Sequence, residues 1–197
     1  MSHKWGYNVA QQVRFKNSAN VAFIGLQPYA DAGGQSVFRA SLTTFQNGTT
    51  SNHHTCHPMR NSPGIECSIM INGNYNHTYE LKIEKAYETT WRGLVKDSVN
   101  DDLYLIGLWT LPPTTGNITN GNNGYIDYMP WSDAQTSPDC STLPIAEVTM
   151  YDPFSYTEGV SGGRIDRVLE YGTCAGAMNF KNKTVDGGYD FTIGFLP

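Results

Sequence analysis

A histidine-rich segment holds the densest group of potential metal ligands in the sequence. It reads His53-His54-Thr55-Cys56-His57, with three imidazoles and one thiol within five positions. Imidazole and thiolate are the ligands that Zn²⁺ prefers in proteins. A structural zinc site usually takes its ligands from two elements, and Cys56 would have to give up a disulfide bond to contribute. We therefore interpret the segment as an exposed loop held by a disulfide, and we predict no metal site.

An aromatic segment gives the strongest indication of ligand binding. It runs Tyr125-Ile126-Asp127-Tyr128-Met129-Pro130-Trp131 and follows a loop rich in Gly and Asn. In an extended strand, Tyr125, Asp127 and Trp131 would share one face. Flat aromatic faces beside carboxylate and amide groups match the alternating apolar and hydroxyl surfaces of a pyranose. The sequence therefore predicts a glycan-binding protein, with Tyr125 and Trp131 as stacking surfaces, Asp127 and Gln27 as hydroxyl acceptors, and Arg92 as a donor.

Other function classes stay open. A polysaccharide lyase would need a cation and acid–base groups on one concave sheet, and Arg39, His54 and Tyr128 are the candidate catalytic residues for it. A glycoside hydrolase would instead need two carboxylates on or near strands, such as Asp127 and Glu147. The residues Gly159-Val160-Ser161-Gly162-Gly163 match the Gly-x-Ser-x-Gly pattern, but no sustained helical periodicity follows them, so a nucleophile elbow is not predicted. A third class is a surface or toxin-like interaction protein, which extensive exposed apolar area would indicate.

A second aromatic segment, residues 151–159, is too long for a turn and is interpreted as a lid or rim loop. Its Asp152 and Glu158 carboxylates could ligate a structural Ca²⁺ together with backbone carbonyls, although the spacing of an EF-hand is lacking. No other cofactor is predicted.

The cysteines and glycosylation sequons indicate a secreted protein. The chain has four cysteines, and the spacing favours the disulfides Cys56–Cys67 and Cys140–Cys174 among three possible pairings. Disulfides persist mainly in oxidising compartments. Four Asn-x-Ser/Thr sequons lie beside turn-forming residues and are candidate glycosylation sites: Asn47, Asn76, Asn117 and Asn182. We therefore expect an extracellular, disulfide-bonded glycoprotein.

Composition excludes several partners. The net charge is -5 with scattered Lys and Arg residues, so there is no basic footprint for nucleic acid. No stretch approaches the run of about 20 apolar residues that spans a bilayer. With 197 residues, of which 39% are hydrophobic, the chain can bury one sizeable core, so a single domain over 1–197 is predicted. The oligomeric state stays open.

Period-2 alternation of apolar residues recurs along the chain, whereas helical periodicity is never sustained. The pattern predicts about eleven short strands at hairpin spacing, and hence an all-β fold with two antiparallel sheets in a jelly-roll-like sandwich. The predicted strands are Tyr7 to Phe15, Val21 to Gln27, Val37 to Phe45, Ile65 to Ile71, Thr78 to Glu84, Thr89 to Lys96, Leu103 to Thr110, Gly124 to Trp131, Ile145 to Tyr151, Arg164 to Tyr171 and Tyr189 to Phe195.

Three segments together resemble a family of secreted bacterial and fungal β-sandwich domains of unknown function. They are Ala22-Phe23-Ile24-Gly25-Leu26-Gln27 with the strand that follows it, the hairpin from Tyr79 to Trp109 with its Thr89-Thr90-Trp91 strand, and Gly124-Tyr125-Ile126-Asp127-Tyr128. The chain departs from the family at Thr43-Thr44-Phe45, where the family places a Trp-Asp pair. The resemblance implies a sandwich fold and a frequent association with carbohydrate-active proteins, and it implies no particular active site.

Overall fold

A computed structural model describes residues 6–129 and 139–196 of the protein. The chain divides into two compact units, Met1–Met129 and Pro130–Pro197. Each unit has its own antiparallel sheets. The prediction of a single domain over 1–197 stays a prediction.

The described part of the chain holds twelve β-strands and no α-helix. They are β1 (Tyr7–Arg14), β2 (Val21–Ala32), β3 (Gln35–Thr44), β4 (Cys56–Pro58), β5 (Ile65–Gly73), β6 (Tyr79–Tyr87), β7 (Thr90–Asp97), β8 (Leu103–Thr110), β9 (Gly124–Tyr128), β10 (Ala146–Tyr151), β11 (Lys181–Val185) and β12 (Gly188–Ile193). Among the described residues, no helix is both long enough and apolar enough to cross a membrane.

The first unit is a β-sandwich made of a large and a small sheet. The large sheet has six strands in the order β4-β5-β3-β2-β1-β9, and the small sheet has the order β6-β7-β8. Neighbouring strands are antiparallel throughout both sheets. The predicted all-β sandwich is thereby confirmed.

Alternating side chains of both sheets form the core of the first unit. The large sheet contributes Ile24 and Leu42, and the small sheet contributes Val95, Ile106 and Trp109; all five are at most 2% exposed. Full burial of such side chains stabilises the fold by about 1.5–3 kcal/mol each. The opposite side chains of the same strands therefore point away from the core, which leaves two outward faces.

Two glycines let the sheets approach each other closely. A Cβ placed on Gly107 would lie 2.6 Å from Cys56 Sγ, and one placed on Gly93 would lie 2.9 Å from Leu42 Cδ1. Cys56 and Cys67 are directly opposite each other on β4 and β5 and form a buried disulfide. The strand β8 thus packs against the disulfide itself, because residue 107 has no side chain.

The strand β8 is an edge strand with apolar residues on both sides. Its Leu103 and Leu105 side chains are 61% and 39% exposed. The free edge is covered by the loop before β4: Thr50 forms a bridge with Thr110. In the same loop, Ser51 Oγ and Thr55 Oγ1 donate to the carbonyls of residues 108 and 106. The loop therefore satisfies backbone groups that an edge would leave unpaired.

The second unit contains one three-stranded sheet in the order β10-β12-β11 and the disulfide Cys140–Cys174. Both predicted disulfides are thereby confirmed. The predicted strand from Arg164 to Tyr171 is wrong: the segment is irregular and pairs with no strand among the described residues. The short strands β4 and β11 were not predicted.

Candidate functional site

The candidate site is the face of the six-stranded sheet that points away from the core, called the polar face below. Strand alternation and antiparallel register decide its membership, because directly opposed residues lie on the same side of a sheet. Its central members are Asn8, Ala10 and Gln12 on β1, Phe23, Gly25 and Gln27 on β2, Arg39 and Ser41 on β3, Glu66 and Ser68 on β5, and Tyr125 and Asp127 on β9.

A row of small residues crosses the polar face at right angles to the strands. Ser68 opposes Ser41, Ser41 opposes Gly25, Gly25 opposes Ala10, and Ala10 opposes Tyr125. Larger side chains stand in the rows on either side. This row of small residues is called the furrow below; it ends at Tyr125, and Ala10 and Gly25 within it are buried. Across five strands it is about 19 Å long, from a strand spacing of about 4.8 Å.

The Asn8 amide forms part of the floor of this furrow. A Cβ on Gly25 would lie 2.9 Å from Asn8 Oδ1. Any larger residue at position 25 would therefore displace the Asn8 side chain. The glycine allows this polar side chain to lie across the sheet.

Gln27 carries the most unusual group on the polar face. The residue is only 4% exposed, and its amide nitrogen Nε2 has no hydrogen-bond acceptor within the part of the chain that the structure describes. A buried donor without a partner costs about 1–3 kcal/mol. Most native structures avoid that cost, so a buried amide in this state calls for an explanation, and an acceptor supplied by a ligand is one.

Arg39 stands directly opposite Gln27 on the neighbouring strand. Its guanidinium donates to Glu66 Oε1 over 2.7 Å, and both side chains are partly exposed, at 29% and 42%. The ion pair holds the guanidinium in place beside Gln27. Because Arg has five N–H donors, one contact to Glu66 leaves others for a ligand.

Tyr125 is fixed at the other end of the furrow. Its hydroxyl donates to Gln12 Oε1 over 2.8 Å, and its ring lies 6.0 Å from the Phe23 ring. Gln12 is 5% exposed, and its own Nε2 also has no acceptor among the described residues. Two buried amide donors thus lie on one face, on neighbouring strands.

Three of the five residues predicted to bind ligand lie together on the polar face: Gln27, Tyr125 and Asp127. Arg92 does not join them. It lies on β7 of the small sheet, faces outward, and forms an ion pair with Glu84. Trp131 lies outside the described residues.

The lyase candidates are dispersed over the first unit. Arg39 lies on the polar face, but Tyr128 lies on the other side of the sheet, where its ring is 5.0 Å from that of Tyr7. Burial raises the pKa of Tyr7 above its ordinary range, and Tyr128 adds to that effect. His54 lies in the loop before β4, its ring 4.6 Å from that of His53. Burial and the neighbouring His54 lower the pKa of His53.

Two of the potential metal ligands, Cys56 and Asp152, are engaged in other contacts. Cys56 is in a disulfide, and Asp152 Oδ1 accepts a hydrogen bond from the backbone N–H of Ile165 over 2.7 Å. Within residues 6–129 and 139–196, no group of three or more His, Cys, Asp or Glu residues could hold a metal ion. The predicted option of a Ca²⁺ at Asp152 and Glu158 stays a prediction.

All four sequon asparagines are exposed, at Asn47, Asn76, Asn117 and Asn182. Each amide is therefore accessible for a glycan, and their glycosylation stays a prediction.

Sequence reasoning missed Asn8, Gln12 and Glu66 as members of this face. Gln11 and Gln12 are adjacent in the sequence, so alternation alone could not tell which amide faces the core. The pairing of Gln12 with Phe23 settles the matter, because it fixes the register of β1 on β2.

Comparison with known proteins bears on the fold. No family model matches the sequence, and no curated protein matches it either. A solved structure with a similar fold is that of aspergilloglutamic peptidase from Aspergillus niger. The TM-score is 0.57 at 8% sequence identity, and the match covers 98% of this chain and 100% of the peptidase chain. At that identity the chain is similar to the peptidase in its β-rich fold alone.

Proposed function

We propose that this protein binds glycan on the polar face and performs no chemistry on it. The observation that carries the proposal is the buried amide of Gln27, which has a donor without an acceptor beside the Arg39 guanidinium. Hydroxyl and carboxylate oxygens of a sugar are acceptors for both groups. Ligand binding would then satisfy a donor that the described part of the chain leaves unpaired.

The shape and composition of the furrow support an elongated, hydroxyl-rich ligand. The row of small residues spans about 19 Å, the length of a short oligosaccharide, and the Arg39–Glu66 ion pair crosses it at Ser41 and Ser68. Tyr125 and Phe23 provide apolar surface at one end, and Gln27, Arg39 and Asp127 provide polar groups along one side. Such a mixture of aromatic surface and few polar groups is typical of ligand sites.

The separation of the lyase candidates favours binding over polysaccharide cleavage. A lyase would need its cation and proton-transfer groups within hydrogen-bond reach of one sugar unit. Arg39 and Tyr128 are on opposite sides of the large sheet, and His54 is in a loop outside the strands. Cleavage of polysaccharide stays the alternative that an experiment must exclude.

An extended peptide is the other ligand class that the furrow could accept. The solved structure with a similar fold is a peptidase, so peptide substrates belong in the test. The glycan is preferred because the furrow crosses the strands of a sheet interior, where an added peptide strand would find no free sheet edge to pair with.

We also propose that the protein is secreted and glycosylated, which two disulfides and four exposed sequons support. An interaction protein remains the further alternative. Exposed apolar side chains in the second unit, such as Phe154 and Leu169, are the observation that bears on it.

The test incubates the protein with neutral and uronate-containing polysaccharides and with a denatured protein substrate. Co-sedimentation, reducing ends, absorbance of unsaturated products and new amino termini are measured in the same tubes. We expect the protein to co-sediment with at least one polysaccharide without producing new reducing ends. Asp127→Ala should weaken retention at least tenfold, because it removes a polar-face acceptor, while Arg92→Ala, a charge on the other sheet, should not. Equal retention of both variants and the parent, or no retention of the parent on any polysaccharide, would overturn the proposal. New reducing ends or new amino termini would establish that the protein is an enzyme.

A further inference from the structure

A second concavity lies in the first unit, away from the polar face. It has a volume of about 450 Å³ and is called the Pro112 cleft below. It is lined by Gly48, Thr50, Glu88, Thr89, Thr110, Leu111, Pro112 and Pro113. The lining comes from three places in the chain: the turn after β3, the β6–β7 turn, and the end of β8 with the residues that follow it.

The lining of the Pro112 cleft is mixed, with more apolar than polar surface. Pro112 and Pro113 form its apolar wall, and Leu111 is buried behind it. Thr89 Oγ1 is already used, because it donates to the carbonyl of Leu111 over 2.8 Å. The carboxylate of Glu88 and the hydroxyl of Thr50 make no hydrogen bond within the described ranges. The cleft therefore offers an apolar surface with an unused acceptor and an unused hydroxyl.

The turn that borders the cleft carries a sequon. The backbone N–H of Thr49 donates to the carbonyl of Gln46 over 3.3 Å, and Gly48 has a φ of 79°. These values describe a type II turn, which needs a glycine at its third position. Asn47 is therefore at the second position of the turn, exposed, with its amide accessible.

Gly48 joins the sequon directly to the cleft. It is a lining residue, and a Cβ on it would lie 3.5 Å from Pro112 Cγ. A sugar on Asn47 would start one residue from the cleft wall. Such a tether gives the first sugar units a high effective concentration at the cleft, so weak contacts suffice to hold them.

We infer that Asn47 is N-glycosylated and that the Pro112 cleft holds the first sugar units of that glycan. The Pro112 and Pro113 side chains would contact the apolar faces of the pyranoses, and Glu88 and Thr50 would bind their hydroxyl or amide groups. The donor is a lipid-pyrophosphate-linked oligosaccharide of the secretory pathway. Asn47 Nδ2 forms a bond to the anomeric carbon, the carbon–oxygen bond to the pyrophosphate breaks, and Nδ2 loses one proton.

The other sequons provide internal controls, because none of their asparagines lines this cleft. Asn76 lies in the turn between β5 and β6, and Asn182 lies on the edge strand β11. Asn117 Oδ1 accepts a hydrogen bond from Lys85 Nζ over 3.2 Å. A glycan at Asn76 or Asn182 should therefore extend into solvent.

The experiment secretes the whole chain from a eukaryotic host that attaches N-glycans. Site occupancy is mapped by mass spectrometry, and the native protein is then treated with a peptide-N-glycosidase over time. We expect Asn47 to be occupied and its glycan to be released at least tenfold more slowly than those on Asn76 and Asn182. After denaturation the three release rates should be equal.

A variant of the cleft wall distinguishes a glycan bound in the cleft from a turn that the glycosidase cannot reach. Pro113→Ser opens the exposed part of the cleft wall and should speed release at Asn47, while Pro63→Ser, at another exposed proline, should not. Asn47→Gln should lower the Tm of the secreted protein by about 2–4 °C and leave the Tm of bacterially produced protein unchanged. An empty Asn47 in secreted protein, or release at Asn47 as fast as at Asn76, would overturn the inference. Neither result bears on the polar face, whose residues are different.

Discussion

The two outward faces of the first unit differ in how their polar groups are paired. On the small sheet, Lys82 and Arg92 both form ion pairs with Glu84, and Lys96 pairs with Asp101. On the large sheet, the buried amide nitrogens of Gln12 and Gln27 have no acceptor among the described residues. Both faces pair their charges, since Arg39 and Glu66 form an ion pair on the large sheet, but only the large-sheet face also holds buried side-chain amide donors that no described residue satisfies.

This difference explains why the large-sheet face is the better candidate for ligand binding, although the two faces have similar polarity. A ligand on the small sheet would have to compete with existing ion pairs and with water for exposed groups, each of which is worth little. A ligand on the polar face would supply partners to buried groups, which is worth more because no described residue satisfies them beforehand. The candidate site is therefore defined by unmet hydrogen bonds rather than by its charge.

The largest effect should come from the core that both faces share. Trp109 is fully buried, with its ring 5.9 Å from that of Phe15. Trp109→Ala should lower the free energy of unfolding by about 3–5 kcal/mol, because it leaves a large cavity. Urea denaturation followed by circular dichroism measures the loss. Glycan retention should fall with it in proportion to the unfolded fraction, and a stable variant would show that this packing matters less than argued.

A smaller effect should come from a buried pair on the small sheet. Asp97 is 4% exposed, and its Oδ2 lies 2.7 Å from His77 Nδ1. Burial acts to raise the pKa of Asp97, but the hydrogen bonds from His77 and from the backbone N–H groups of Val99 and Asn100 outweigh it and lower the pKa. Asp97→Asn should lower the free energy of unfolding by about 2 kcal/mol, since it weakens charge-assisted hydrogen bonds.

The lowered pKa of Asp97 also predicts a direction for the pH dependence of stability. The carboxylate stabilises the fold fully above the ordinary pKa of an aspartate, and the contribution decreases as pH falls below about 4 toward the lowered value. The free energy of unfolding, measured at several pH values, should decrease less with falling pH in Asp97→Asn than in the parent. Parallel curves would contradict the assignment.

The smallest effect should come from the outward ion pairs. The hydrogen bond from Lys82 lowers the pKa of Glu84 against the opposing effect of burial, and Arg92 adds to the lowering. The Arg92 side chain is 48% exposed, so solvent screens this pair. Arg92→Ala should change the free energy of unfolding by less than about 1 kcal/mol. A larger loss in a denaturation titration would mean that the small sheet depends on this network.

Strand positions could be predicted from the sequence where one face is buried. The strand β8 was predicted with its observed bounds, Leu103–Thr110, because it is a short run of apolar and aromatic residues between Asp102 and Pro112. The strand β11 was missed because Lys181-Asn182-Lys183 is polar and lies at a sheet edge. The segment from Arg164 to Tyr171 has β-branched residues but no partner strand in the described structure, and local propensity cannot supply one.

The site could be predicted only in part, because it depends on register between distant strands. Tyr125 and Asp127 share a face by simple alternation, which a single strand reveals. Their placement on the face of Gln27 depends on the pairing of β9 with β1 and of β1 with β2. Arg92 was grouped with them because the sequence does not tell which of two sheets a strand joins.

Replacing Gln27 by Met, a side chain of similar shape without the amide, tests most directly whether this amide binds a ligand. Removing an unpaired buried donor should leave the free energy of unfolding unchanged or raise it by up to about 1 kcal/mol. Glycan retention should fall at least tenfold, because the variant lacks the amide donor that would bind the glycan. A Gln27→Met protein that is destabilised and still binds as the parent does would show that this amide serves the fold and not a ligand.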